Sequence, residues 1–181
     1  MTIRNHPERY STPVVILHWF MLLLLIAVYG FIELRELFPK GTEPRELMKT
    51  LHFMLGLTVL ATVFLRLFFR ISSRTPAIQP APGWISRRVS QAVQIALYTL
   101  MIGMPIAGWL VLSAAGKPVP FFGLELPPLI AENKGLADTI KGVHKTVGKA
   151  GYLLIAAHAL AGLYHHYVRR DNTLTRILPG R

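Results

Sequence analysis

The sequence predicts an all-α integral membrane protein, a four-helix bundle, on three observations. Of its 181 residues 52% are hydrophobic and the mean hydropathy is positive, more apolar than a soluble domain of this length needs. Four stretches carry no Asp, Glu, Lys or Arg: Val14 to Ile32, Thr50 to Leu65, Val89 to Gly116 and Ala150 to Val168. About 20 such residues cross a bilayer core, and fewer suffice where flanking charges snorkel outward. The basic residues cluster at the ends of these stretches, where lipid headgroups and topology account for the net charge of +11 without invoking nucleic acid. One membrane domain is expected over residues 1–181, with helices at about 13–34, 46–70, 86–113 and 138–169.

Thr12-Pro13 reads as a cap followed by a proline in the first turn, which starts the first helix. Its apolar run is too long for a signal peptide, and Phe31-Ile32-Glu33-Leu34 offers no small-residue cleavage site. Phe38-Pro39-Lys40-Gly41 opens a short charged loop before the second helix, and the Pro/Ser-rich stretch from Ser72 to Gly83 is a linker. The third helix contains Pro105 between Gly103 and Gly108, which predicts a kink. Ala115 to Asn133 reads as an irregular cover against the membrane surface, and the fourth helix follows.

Lys and Arg number eleven in the N-terminal tail, the segment Arg66 to Arg88 and the C-terminal tail, against nine elsewhere. The first set is all Arg, with Glu8 and Asp171 its only acids, whereas the remaining loops carry seven acids. This distribution puts both termini on the cytoplasmic side. Cysteine is absent, which excludes disulfides, iron–sulfur clusters and covalent haem attachment.

Five of the seven histidines lie in or at the ends of the apolar segments: His18, His52, His144, His158 and His165. Ionisable groups at such depth are costly and usually have a partner or a function. Any one of them alone could be an interfacial, hydrogen-bonded histidine; their spacing as a set is more telling. With the N-terminus inside, His18 sits near the cytoplasmic end of the first helix, and His52 begins the second on the periplasmic side. His144 begins the fourth helix on that same side. His158 is 14 residues further along, roughly 21 Å and four turns at 1.5 Å per residue, on nearly the same face. Depth therefore pairs His52 with His144 and His18 with His158. Two bis-histidine pairs in a bundle suit two b-type haems, and filling both axial positions implies electron transfer rather than oxygen activation. Zinc fits less well, since two isolated pairs fall short of four ligands.

Gly56, Gly148 and Gly162 each follow one of these histidines by four residues and leave room for a flat macrocycle, although glycine is also common at membrane helix contacts. Arg66, 14 residues after His52, returns to that face at the cytoplasmic level, where it either pairs with a haem propionate or snorkels; Arg70 is read as snorkelling. His165 lies beyond the cytoplasmic pair, where it either serves a quinone or anchors the helix end. His166 is turned away, and His6 in the tail carries no signal.

His18-Trp19, Glu33-Leu34-Arg35, Phe38-Pro39-Lys40, His52 with Gly56 and Arg66, Gly151-Tyr152, His158, His165-His166-Tyr167, Asp171-Asn172-Thr173-Leu174 and Arg176 together resemble the bacterial cytochrome b561 family. The resemblance covers nearly the whole chain, above all the tail after His158, and extends to the short stand-alone members that act as superoxide oxidases. It implies a multi-pass inner-membrane cytochrome with two haem b groups on His18, His52, His144 and His158. It also implies that electrons pass from periplasmic superoxide to ubiquinone, with no protein partner required. The alternative within the family is an electron-carrier subunit serving a partner dehydrogenase and the quinone pool. Lys40, Arg45, Lys49, Lys117, Lys141 and Lys145 share the side of the outer pair, where they either steer a small anion or stand as solvated charges offset by Glu33, Glu36, Glu43 and Glu46. From another class, a proton-coupled transporter would use the histidines as a relay, but no broken-helix substrate site is visible.

Overall fold

The computed structural model describes residues 9–179, so Arg4, His6, Glu8 and Arg181 lie outside it. Its elements are α1 (Thr12–Leu34), a short 3-10 turn (Arg35–Leu37), α2 (Glu43–Ser72), α3 (Trp84–Ala114), β1 (Val119–Phe121), β2 (Leu124–Leu126) and α4 (Lys134–Tyr167). All four helices are long and apolar enough to cross a membrane.

All four helices start earlier than the apolar patterning predicts, α2 and α4 by the most, and local chemistry explains those two. Thr42 stands at the cap of α2 with Pro44 in its first turn, which suits a helix start and adds a charged turn before Glu46. Asn133 caps α4, its side-chain oxygen accepting from the Leu136 amide at 3.0 Å. At its other end α4 stops at Tyr167 rather than Arg169, where the backbone turns through a left-handed Arg170 (φ 54°). Pro105 is carried inside α3.

The cover between α3 and α4 is not wholly irregular. β1 and β2 pair antiparallel, Val119 opposite Leu126 and Phe121 opposite Leu124. Both turn residues, Phe122 (φ 47°) and Gly123 (φ 86°), have positive φ, as a tight two-residue hairpin requires. Phe supplies none of the Asn or Asp signal that marks such a turn in a sequence. The strands pack onto the bundle end, burying Val119 with Leu57 and Leu112.

The core lies among three helices. Met21 and Leu24 of α1 meet Val59 and Val63 of α2 and Met101 of α3. By contrast α4 packs closely against α3 alone, and its backbone stays more than 8 Å from those of α1 and α2. Closely packed helices have axes 8–10 Å apart and backbones nearer than that, so a slot separates α4 from the α1–α2 pair.

Candidate functional site

Every histidine pair expected from depth spans that slot. The rings of His18 (α1) and His158 (α4) have centres 6.2 Å apart, and those of His52 (α2) and His144 (α4) are 6.3 Å apart. A direct N–H···N hydrogen bond would bring the centres to about 5 Å, so neither pair is simply hydrogen-bonded to itself. An imidazole nitrogen sits about 1.1 Å from its ring centre and a metal–imidazole bond is about 2.0–2.1 Å, so rings ligating one metal from opposite sides have centres roughly 6.3 Å apart. Both pairs hold that spacing. Among the described residues no three His, Cys, Asp or Glu side chains converge as a metal cluster, so each pair stands as a two-ligand set.

The surroundings of His52 add a second argument. Its Nδ1 lies 2.9 Å from the Val28 carbonyl oxygen, which can only accept, so Nδ1 carries the proton and Nε2 is left as a free lone pair. His144 across the slot has a buried Nδ1 with no partner among the described residues. A cavity of about 530 Å³ adjoins this pair, lined by His52, His144, Gly56, Gly108, Met104 and Gly148. That is in the range of small-molecule and cofactor sites. A Cβ added at Gly56 would meet nothing within 4 Å, and one at Gly108 would stand 3.5 Å from the His144 ring. Gly148 serves partly differently: it lies beside the Met104 methyl, and its carbonyl accepts from the Tyr29 hydroxyl at 3.0 Å. Gly162, near the other pair, faces open space.

The two ends of the bundle differ. At the hairpin end the cavity mouth carries Lys141, Lys145 and Lys149 with Arg35, Glu33 and Glu36. Arg45, read above as part of a positive approach, is instead 8% exposed and bound to the carbonyls of Arg35 and Phe38 and to Glu36; it ties the loop together. Lys49 is paired with Glu46 at 2.6 Å. Tyr152 donates to Glu33 at 2.9 Å, linking α4 to α1 beside the cavity.

At the terminal end, Arg66 is half-buried and its Nη1 donates to the Val14 carbonyl at 3.0 Å, one turn before His18. Arg70 donates to Thr75 and lies over the Tyr10 ring, 5.1 Å from its centre. His165 does not point into free space: its Nδ1 is 2.5 Å from Asp171 Oδ2. His166 stacks edge-on with Tyr167. Burial pushes the Asp171 carboxyl up, but hydrogen bonds from His165 and Thr173 outweigh it and hold the group below its ordinary value.

A four-helix bundle with histidine pairs at two depths is matched by the family model of prokaryotic cytochrome b561, over residues 9–180. The chain belongs to that family. It is 36% identical to cytochrome b561 homolog 1 of Escherichia coli K12 over 174 residues, covering 96% of this chain and 99% of that one. The probable superoxide oxidase CybB of Yersinia pestis is likewise 36% identical over 172 residues, covering 95% and 97%. Cytochrome b561 homolog 2 of E. coli K12 is 29% identical over 189 residues, covering 98% and 95%. The chain is thus a multi-pass inner-membrane cytochrome b of the electron-transfer class, and membership implies b-type haem. The spacing of the histidine rings, the slot beside α4 and the open face of Gly56 all fit such a group.

Proposed function

We propose that His18/His158 and His52/His144 each hold one haem b and that the protein moves electrons from periplasmic superoxide to ubiquinone. The observation that carries the ligand assignment is the equal spacing of the two ring pairs, 6.2 and 6.3 Å, across a slot that the helices leave open. The substrate assignment draws on the relative named a probable superoxide oxidase, together with the lysine-rimmed mouth. The chain acts as a single membrane domain with both termini cytoplasmic, which places the hairpin and the lysines on the periplasmic side, in keeping with the arginine-rich, acid-poor terminal end.

The haems supply a one-electron relay between donor and acceptor. The protein's own part is threefold. Val28 holds His52 in the tautomer that offers Nε2 across the slot, and Gly108 of α3 keeps the space beside the His144 ring free of a side chain. Two imidazoles at each site would hold the haem iron, and a group held in this way would supply one-electron transfer rather than oxygen activation. Lys141, Lys145 and Lys149 raise the local concentration of a small anion at the mouth.

Purification in detergent, a reduced-minus-oxidised spectrum and haem per chain test this directly. Two low-spin b haems are expected, one lost in His52→Ala and the other in His158→Ala, with superoxide-dependent reduction of a ubiquinone analogue in the native protein. A colourless protein would overturn the ligand assignment. Two haems without superoxide activity, and a stoichiometric dehydrogenase co-purifying, would favour the electron-carrier subunit.

A further inference from the structure

The chain after α4 folds back under the terminal end of the bundle and buries Arg176 together with Asp171. Its backbone is tied in at several points: the Tyr10 amide donates to the Arg176 carbonyl at 3.2 Å, and Asn172 and Gln79 exchange hydrogen bonds of 3.1 and 2.8 Å. Trp19, the residue after His18 and 5.5 Å from it between ring centres, donates its indole N–H to the Ile177 carbonyl at 2.8 Å. Arg176 is thereby the sequence neighbour of the residue that ties the tail to the indole beside His18.

Arg176 is only 5% exposed. Its Nη1 donates to the Pro76 carbonyl, yet its Nε is buried without a partner, as is the Thr173 hydroxyl, among the described residues. Its guanidinium stands 5.5 Å from the centre of the Tyr10 ring, over which Arg70 also lies, and Arg66 precedes Arg70 by one turn of α2. The one described carboxylate nearby, Asp171, is taken up by His165 and by the Thr173 amide. Among the described residues, three guanidiniums against one carboxylate leave two positive charges without a counterion. An unpaired buried guanidinium with a free N–H is costly, and its fork geometry matches a carboxylate.

We propose that Arg176, together with Arg66 and Arg70, binds the two carboxylates of the haem held by His18 and His158; the proposal rests on the haem reading above. The tail is then part of the cofactor site. A cation beside a haem stabilises the form that has gained an electron, so Arg176 holds that haem's potential up.

The test is a redox titration of the purified holoprotein, in which His158→Ala first identifies the spectral component of the terminal haem. Arg176→Gln is expected to make that component harder to reduce, by about tenfold in its reduction equilibrium or about 59 mV for one electron, while the other haem stays put. Arg170→Gln, an exposed neighbour, is expected to shift neither, and so is Glu8→Gln. Should the glutamine variant fail to accumulate, Arg176→Lys keeps the charge but not the fork and is expected to give a smaller shift in the same direction. Two retained haems with unmoved potentials in the Arg176 variants would overturn the proposal and leave the haem reading standing. So would loss of co-purified anionic phospholipid with unmoved potentials, which would make a lipid phosphate the occupant. A shift of opposite sign in Glu8→Gln, where loss of a negative charge makes that haem easier to reduce, would also overturn it, by making Glu8 the counterion. Absence of the terminal haem from the native protein would instead overturn the reading on which the proposal rests.

Discussion

The two histidine pairs share one geometry and differ in what closes them off. At the hairpin end, a short β-hairpin and a lysine-rimmed mouth leave a cavity of about 530 Å³ beside His52 and His144. At the terminal end, the tail, the N-terminal residues and the linker after α2 knit a polar knot under His18 and His158, with Arg176 and Asp171 each 5% exposed. On the proposed reading, ring spacing sets what each pair can hold, and the caps make one end the entry for a donor and the other the end tuned by buried charge.

The largest effects should come from removing a pair outright. His52→Ala or His144→Ala is expected to abolish the hairpin-end haem and superoxide oxidation while the terminal haem remains; His18→Ala and His158→Ala should do the reverse to haem content. Haem per chain and reduced spectra read this. If either single variant lost both haems with the helices intact, the two sites would not be the independent units the geometry describes.

Next in size is a steric test of the slot. Gly56→Leu points a side chain into space where a Cβ meets nothing within 4 Å. The apoprotein should tolerate it, with unchanged helix content, but the hairpin-end haem should be lost. Gly151→Ala is its counterpart, because there a Cβ collides with the Tyr29 hydroxyl and Leu100. It should loosen α4 at a cost of about 1–3 kcal/mol, the usual range for overpacking, and both haems should become easier to remove together. The contrast separates a glycine that makes room for a cofactor from one that lets two helices meet.

A smaller effect is expected at the mouth. Replacing Lys141, Lys145 and Lys149 by Gln should slow superoxide-dependent quinone reduction several-fold at low salt and flatten its ionic-strength dependence, with the haem spectra unchanged. Stopped-flow rates across a salt series measure it. Unchanged kinetics would mean that the lysines are merely solvated.

How far the sequence reveals this molecule depends on the range of the interactions involved. Helix rise is a local constant, so the depth of His52, His144 and His158 follows from counting residues, and the pairing follows from depth. The starts of α2 and α4 were less visible because Thr42 and Asn133 extend the helices through charged turns that hydropathy treats as loop. The hairpin was hidden by a phenylalanine in a left-handed turn position. The terminal knot lay furthest from view. It depends on a guanidinium meeting a carbonyl 100 residues away, from Arg176 to Pro76, and no periodicity encodes that contact. Asp171-Asn172-Thr173-Leu174 and Arg176 stood out only as part of a family resemblance, and the fold gives them a physical task.

The finest test of the comparison concerns the hinge of that knot. Asp171 accepts from His165 through one oxygen and from the Thr173 amide through the other, whereas beside the hairpin-end cavity the carboxylate link between α1 and α4 is the single Tyr152–Glu33 bond. Asp171→Asn removes the charge and leaves a buried group short of a partner, at a cost of about 1–3 kcal/mol. Amide exchange in residues 172–178 should accelerate accordingly, while α2 and the hairpin remain as protected as before. The same clamp predicts the sign of a pH effect. Because the Asp171 carboxyl is held below its ordinary value, its contribution is fully present above the unfolded carboxyl pKa of about 3.9 and fades as pH falls through the folded value. Acid should therefore increase exchange in the native tail but not in Asp171→Asn, where no carboxyl remains to titrate. Equal acid sensitivity in both proteins would place the clamp elsewhere than at Asp171.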